Sequence, residues 1–125
     1  MTKPRATIAV VDDDMRMLES LSDLLEASGY HAISFQSATA LIEEGLREVD
    51  LIVADIGMPG MDGFELRDIA QRERPSLPVF LITGRHELAE RGRIRGGSQV
   101  FRKPFDTGAL LAAVAGALHP IEQGE

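Results

Sequence analysis

Residues 51–63 read Leu51-Ile52-Val53-Ala54-Asp55-Ile56-Gly57-Met58-Pro59-Gly60-Met61-Asp62-Gly63. Four apolar residues run straight into an acid and then into a segment of glycine, proline and aspartate. A short apolar run bounded by turn residues predicts a buried strand over Leu51–Ala54, which delivers Asp55 at its carboxyl end. The Gly57–Gly63 turn then opens a helix from about Phe64 to Arg72.

The same unit recurs on both sides. Upstream, Thr7–Val11 is a β-branched run ending on Asp12, Asp13 and Asp14. A helix follows from about Met15 to Ser28, with Leu18, Leu21 and Leu25 at i, i+3 and i+7, flanked by Met17 and Leu24, and Gly29 as its stop. His31–Phe35 is a second strand, and Ser37 caps a short helix ending at Gly45. Downstream, Pro78–Ile82 is a fourth strand and His86–Arg95 a helix, weakened by roughly 1 kcal/mol at Gly92 relative to alanine. Gln99–Phe101 makes a short fifth strand, and Asp106 caps a last helix through Leu118 that Pro120 prevents from continuing. Five strands alternating with five helices predict a doubly wound parallel sheet with helices on both faces. No repeat or linker divides the chain, so residues 1–125 are expected to form one domain, free-standing or excised from a longer protein.

Composition narrows the class. The chain has 125 residues, a net charge of −7 and no cysteine. The missing cysteines exclude a disulfide framework and thiolate metal sites. No apolar window is long enough to span a bilayer, and Asp12 interrupts the first apolar run too early for a signal sequence. A cytoplasmic setting with no membrane and no direct nucleic-acid partner is expected. Between Arg85 and Lys103, six cations face only Glu87 and Glu90. That local basic face is either solvated or a docking surface.

In a doubly wound sheet, ligands bind outside the carboxyl ends of the strands, where the strand order reverses. The polar residues after strands one, three, four and five are Asp12 with Asp13, Asp55, Thr83 and Lys103, which should meet at one edge. Clustered carboxylates repel one another unless a cation is present. Oxygen-only ligands suit Mg²⁺, which uses one or two carboxylates plus phosphate. A carboxylate beside such an ion is a competent nucleophile toward phosphorus. With Lys103 as a point charge and Thr83 as a hydroxyl, the set matches phosphoryl transfer.

Asp12-Asp13, Asp55-x-x-Met58-Pro59-x-Met61-Asp62-Gly63, Thr83-Gly84 and Lys103-Pro104-Phe105 resemble, in order and spacing over essentially the whole chain, the receiver domains of two-component response regulators. The resemblance implies that Asp55 accepts a phosphoryl group from a sensor histidine kinase or phosphotransfer protein. It implies that Asp12, Asp13, Asp55 and the Gly57 carbonyl hold Mg²⁺, and that Thr83 and Lys103 contact the phosphoryl oxygens. It further implies a flavodoxin-like sheet with strand order 2-1-3-4-5, a cis Lys103–Pro104 bond and no catalysis beyond the domain's own phosphorylation and dephosphorylation. The face of helix 4, strand 5 and helix 5 would serve a homodimer or an effector.

One position departs from the pattern. The family couples phosphorylation to its surface through the hydroxyl residue and an aromatic three positions before the lysine, which here is Val100. Phe101 is adjacent, but period-two alternation points it to the opposite sheet face. Gly97 and Gln99 also depart from the usual small-apolar and acidic residues. With Gly84, Gly92, Gly96 and Gly97 nearby, helix 4 is expected to be the most mobile element, with an order–disorder output. Gly57 leaves space beside Asp55, and Arg85 is a candidate for reaching an anion at the pocket mouth. Two rivals stand against phospho-acceptance. One is a haloacid-dehalogenase-like phosphatase with Asp12 as nucleophile and Asp14 as acid. The other is an interaction module that keeps the fold without the chemistry. His31, His86 and His119 show no metal-ligand spacing.

Overall fold

In a computed structural model of the chain, which describes residues 5–96 and 99–119, the five strands are β1 (Thr7–Val11), β2 (His31–Phe35), β3 (Leu51–Asp55), β4 (Val79–Thr83) and β5 (Gln99–Arg102). They form one parallel sheet in the order β2-β1-β3-β4-β5. The helices are α1 (Met15–Ala27), α2 (Ala38–Glu44), α3 (Gly63–Glu73), α4 (His86–Arg95) and α5 (Thr107–Leu118). The expected architecture and element order hold. Gly97 and Pro120 lie outside the described residues.

The three central strands are buried at every position, whereas the edge strands β2 and β5 are exposed or only partly buried. That is the signature of a parallel sheet covered on both faces. Alternation sorts the core into two layers. Ala9, Val11, Ile52, Ala54 and Leu81 point toward α2, α3 and α4 and meet Leu41, Phe64 and Leu88. Ile8, Val10, Leu51, Val53, Phe80 and Ile82 point the other way and meet Leu21 and Leu25 of α1 and Leu110 and Val114 of α5. Val100 and Phe101 divide as expected, Val100 against the first layer and Phe101 against the second. Among the described residues no helix is long and apolar enough to cross a membrane.

Several boundaries move by one residue, among them the start of β4 at Val79 and the end of β5 at Arg102, and two of the moves matter. α1 ends one residue early, with Ser28 as its cap. β3 and β4 each run one residue further than the apolar runs, taking in Asp55 and Thr83. Asp55 pairs in register with Ile82, and Thr83 with Arg102, so ladder bonding to the neighbouring strand outlasts the hydrophobic pattern. Both residues are therefore held by the sheet rather than by a loop.

The helix starts differ in how they are held. Asp14, Ser37, Asp62 and Asp106 each accept a hydrogen bond from a first-turn amide, and Asp62 with Glu65 completes a capping box. The cap of α4 is Arg85, with no side-chain hydrogen bond. A missing cap of this kind costs about 0.5–2 kcal/mol.

Candidate functional site

The sheet reverses direction of growth between β1 and β3, and their carboxyl ends carry the acids. Backbone bonds pin both tips: the Asp12 amide donates to the Phe35 carbonyl at 3.1 Å, and the Ile56 amide to the Ile82 carbonyl at 2.8 Å. One carboxylate oxygen from each of Asp12, Asp13 and Asp55 lies within 4.8 Å of the other two. Asp12 is fully buried and Asp55 is 8% exposed, while Asp13 is open to solvent. Lys103 Nζ stands 3.5 Å from Asp12 Oδ2 and 4.0 Å from Asp55 Oδ1. One lysine thus faces three carboxylates.

Burial pushes the carboxyl of Asp12 up, opposed chiefly by the Asp14 amide, which donates to Oδ1 at 2.9 Å. Burial also raises that of Asp55, opposed chiefly by the Lys103 ammonium. Asp12 Oδ2 is buried without a hydrogen-bond donor. A buried charged oxygen left in that state is costly. An orphaned oxygen, three converging carboxylates and excess negative charge together fit a hard divalent cation such as Mg²⁺.

Thr83, also buried, does two jobs at the tip of β4. Its carbonyl accepts from the Lys103 amide at 2.7 Å, which fixes the backbone from which the lysine reaches across. Its Oγ1 accepts from the Arg85 amide at 3.1 Å, so the hydroxyl beside the site also holds the start of α4. The Lys103–Pro104 bond is cis, as the resemblance implied.

The remaining expected positions divide. Gly57 is exposed, its amide lies 3.4 Å from Asp55 Oδ1, and a Cβ there would meet only Leu88 Cδ1 at 3.6 Å. Space beside Asp55 is open, as expected. The Arg85 guanidinium pairs on the surface with Glu87 at 3.6 Å instead of reaching the carboxylates. Val100 packs beneath α4, where a Cβ on Gly92 would come within 2.7 Å of its Cγ2. Asp14, the acid of the phosphatase alternative, is occupied as the cap of α1, accepting from the Arg16 amide at 2.9 Å.

Gly63 matters more than its place in a turn suggested. Its amide donates to the Ile56 carbonyl at 3.0 Å. A Cβ there would lie 2.8 Å from the Asp55 carbonyl oxygen and 2.8 Å from Ile56 Cα. Only glycine lets α3 start against the backbone of the acid it follows. The Asp62-Gly63 pair was visible in the sequence, but the close approach was not.

Similarity to known proteins falls along the same lines. The family model described as "Response regulator receiver domain" matches residues 8–115. The response regulator protein FleR of Pseudomonas aeruginosa is 36% identical over 113 residues, covering 88% of this chain and 24% of that protein. The transcriptional regulatory protein FixJ of Azorhizobium caulinodans is 36% identical over 121 residues, covering 94% and 57%. The chain spans less than two thirds of either relative. Among solved structures, a response regulator receiver domain protein from Clostridium thermocellum superposes with a TM-score of 0.81 at 26% identity, covering 90% of this chain and 94% of that one. The BeF3-activated DrrB receiver domain gives 0.81 at 28%, covering 91% and 97%.

Proposed function

This chain belongs to the receiver-domain family of two-component response regulators, and from that premise we propose that its residues 1–125 act as one phospho-accepting unit with Asp55 as the acceptor. The observation that carries the proposal is the cluster itself. Three carboxylates lie within 4.8 Å, with Lys103 Nζ 3.5 Å from one and 4.0 Å from another. Asp55 is the member that is both at a strand tip and reachable from solvent, whereas Asp12 is sealed.

A carboxylate oxygen of Asp55 attacks phosphorus. The new O–P bond forms as the P–N bond of a phosphohistidine donor breaks, and the leaving imidazole nitrogen keeps the bonding pair. The donor is a sensor histidine kinase or a phosphotransfer protein. Asp12, Asp13, Asp55 and the Gly57 carbonyl would hold Mg²⁺, which supplies positive charge for the phosphoryl oxygens. Lys103 adds a second cation and the Thr83 hydroxyl a donor, both set in place before the reaction. The domain catalyses nothing beyond its own phosphorylation and dephosphorylation. Its partners beyond the donor are a second copy or an effector at the face of α4, β5 and α5.

Acetyl phosphate with Mg²⁺ tests the assignment. Peptide mapping is expected to find the acyl phosphate on Asp55, and none to form after Asp55→Asn. Label on Asp12 in the native chain would overturn the assignment and favour the phosphatase.

A further inference from the structure

Helices α3 and α4 meet along a seam that collects cations. Gly92 lets α4 come close, since a Cβ there would lie 3.6 Å from Phe64 Cε1 and 2.7 Å from Val100 Cγ2. The guanidiniums of Arg95, Arg91 and Arg67 lie 4.5, 5.6 and 5.9 Å from the centroid of the one Phe64 ring. Arg91 and Arg95 stand one turn apart on α4 and are exposed, whereas Arg67 of α3 is 5% exposed. Like charges four residues apart on a helix repel, and a guanidinium is rarely buried unless it is paired.

The acids around the seam are already engaged. Glu87 pairs with Arg85 at 3.6 Å, and Glu90 with Arg93 at 2.9 Å. Asp68 is shared, 3.2 Å from Arg95 and 3.4 Å from Arg67. Among the described residues Arg91 has the Phe64 ring as its partner and no carboxylate, and Arg67 Nε is buried without an acceptor. A ring face attracts an exposed cation weakly and carries no net charge to balance it. The negative end of α4 would ordinarily offset the cations, but its Gly96 carbonyl is taken by Arg67 Nη1 at 2.6 Å. Three guanidiniums therefore face one carboxylate, the reverse of the acid pocket, where three carboxylates face one lysine.

We propose that Arg91 and Arg95, with Arg67 beneath them, form an anion site on the α3–α4 seam that takes the diphosphate of a small organic phosphate. Guanidinium forks hold phosphate oxygens in pairs. Side chains at i and i+4 start about 5–6 Å apart at Cβ, a spacing that suits two adjacent phosphate groups. Arg67, sealed from solvent, contributes charge without contact. Ile94, three residues from Arg91 and 82% exposed, borders the forks with apolar surface for the organic body of the ligand.

Titration of the full chain with inorganic pyrophosphate and with ADP, in chelator and at constant ionic strength, tests the site through backbone and methyl chemical shifts. Chelator leaves the acid pocket with its carboxylates uncompensated, where they repel anions, so the result is independent of the Asp55 assignment. Both probes are expected to saturate, with shifts centred on 91–96 and on Phe64 and Arg67, and ADP is expected also to shift the Ile94 methyls. Arg91→Gln and Arg95→Gln should each weaken both probes by at least about tenfold, as where a hydrogen bond between charged groups is lost. Arg91→Lys, which keeps the charge without the fork, should weaken them less. Arg93→Gln removes the same charge from another face of the same helix and should leave both affinities unchanged. If Arg95→Gln does not fold, the two Arg91 variants decide. Failure of both probes to saturate overturns the site, and so does an equal loss of affinity in Arg93→Gln. Saturation by pyrophosphate without any Ile94 response to ADP overturns the organic ligand. Saturation by a polyaspartate peptide alone overturns the small molecule in favour of an acidic segment of a partner protein.

Discussion

The acid pocket and the α3–α4 seam are built on opposite plans. In the pocket the backbone is fully tied, with Asp55 and Thr83 inside strands and the amides of Asp12, Ile56 and Lys103 all bonded across the sheet. Its side chains are what lack partners: three carboxylates share one lysine, and Asp12 Oδ2 has no donor. In the seam most side-chain groups are matched, Arg67 to Gly96, Arg95 to Asp68, Val100 to the space at Gly92, although Arg67 Nε is buried without an acceptor. There the backbone is the loose partner, because α4 starts without a side-chain cap. The pocket therefore holds an electrostatic deficit on a rigid frame, ready for a cation and a phosphoryl group. The seam holds a packing constraint on a helix whose start has no cap from its own Arg85 side chain. The two regions meet at Thr83, which is buried in β4 and holds the Arg85 amide at the start of α4.

The largest effect should come from breaking the pocket alone. Asp55→Asn keeps size and shape but removes the nucleophile, so acyl phosphate formation from acetyl phosphate should vanish while hydrogen exchange in α4 stays at the unphosphorylated level. A variant that loses the label and also loosens 92–96 would show that the two regions are not separate. Gly63→Ala comes next, because it strikes the frame. The added Cβ would sit 2.8 Å from both the Asp55 carbonyl oxygen and Ile56 Cα. Neither is a flexible side-chain end, so the cost should reach the upper part of the overpacking range, about 3 kcal/mol. Chemical denaturation measures it, and weakened Mg²⁺ binding should accompany it as Asp55 is displaced.

The pocket was legible in the sequence and the seam was not, for a physical reason. Asp12, Asp13, Asp55, Thr83 and Lys103 each follow an apolar run, and the geometry of a parallel sheet brings strand ends together whatever the intervening helices do. Strand identity alone was enough to assemble them. The seam depends on helix-to-helix distance and rotation, which no local pattern encodes. Gly92 looked like a weakness in a helix because propensity is a local quantity. Its purpose lies in Val100, eight residues later on another element. Arg67 carried no signal at all: an arginine in an amphipathic helix is ordinarily solvated, and its burial follows from where Gly96 ends α4. The strand boundaries failed by one residue at Asp55 and Thr83 for a similar reason, since pairing with a neighbour continued past the last apolar side chain.

A size exchange would sharpen the account of the seam. Gly92→Ala gains roughly 1 kcal/mol of helix propensity but sets a Cβ 2.7 Å from Val100 Cγ2, an overlap worth about 1–3 kcal/mol. The net change should be a loss of about 1 kcal/mol. Val100→Ala alone should also destabilise. Together the two should interact favourably by at least about 0.5 kcal/mol in a double-mutant cycle, as residues in contact do. Additive losses would mean that Gly92 and Val100 do not share a space. Acyl phosphate formation should be unaffected throughout.

The smallest effect, and the one with an unusual sign, concerns Asp12. Its folded-state carboxyl titrates above the ordinary carboxylate value because it is buried. Between the ordinary and the raised value the folded chain therefore binds more protons than the unfolded one. Stability then falls as pH rises through that window and stays low above it. Asp12→Asn removes the ionised form altogether, so without divalent cation it should be more stable than the native chain at pH 7. The gain should be modest, because Lys103 Nζ at 3.5 Å already offsets part of the cost. On acidification the difference should shrink, as native Asp12 takes up its proton. Taking the difference between the two chains cancels the distant carboxylates, among them Glu26 and Glu87, whose lowered values act in the opposite direction, while Asp55, which repels Asp12 across the pocket, contributes to the difference. Millimolar Mg²⁺ should reverse the order at pH 7, since binding to the folded native chain stabilises it by mass action and the variant lacks a ligand. Thermal melts of both chains, with and without Mg²⁺, make the measurement. A native chain that is the more stable of the two in chelator would mean that Lys103 alone balances Asp12, and the pocket would then hold no deficit for a cation to remove.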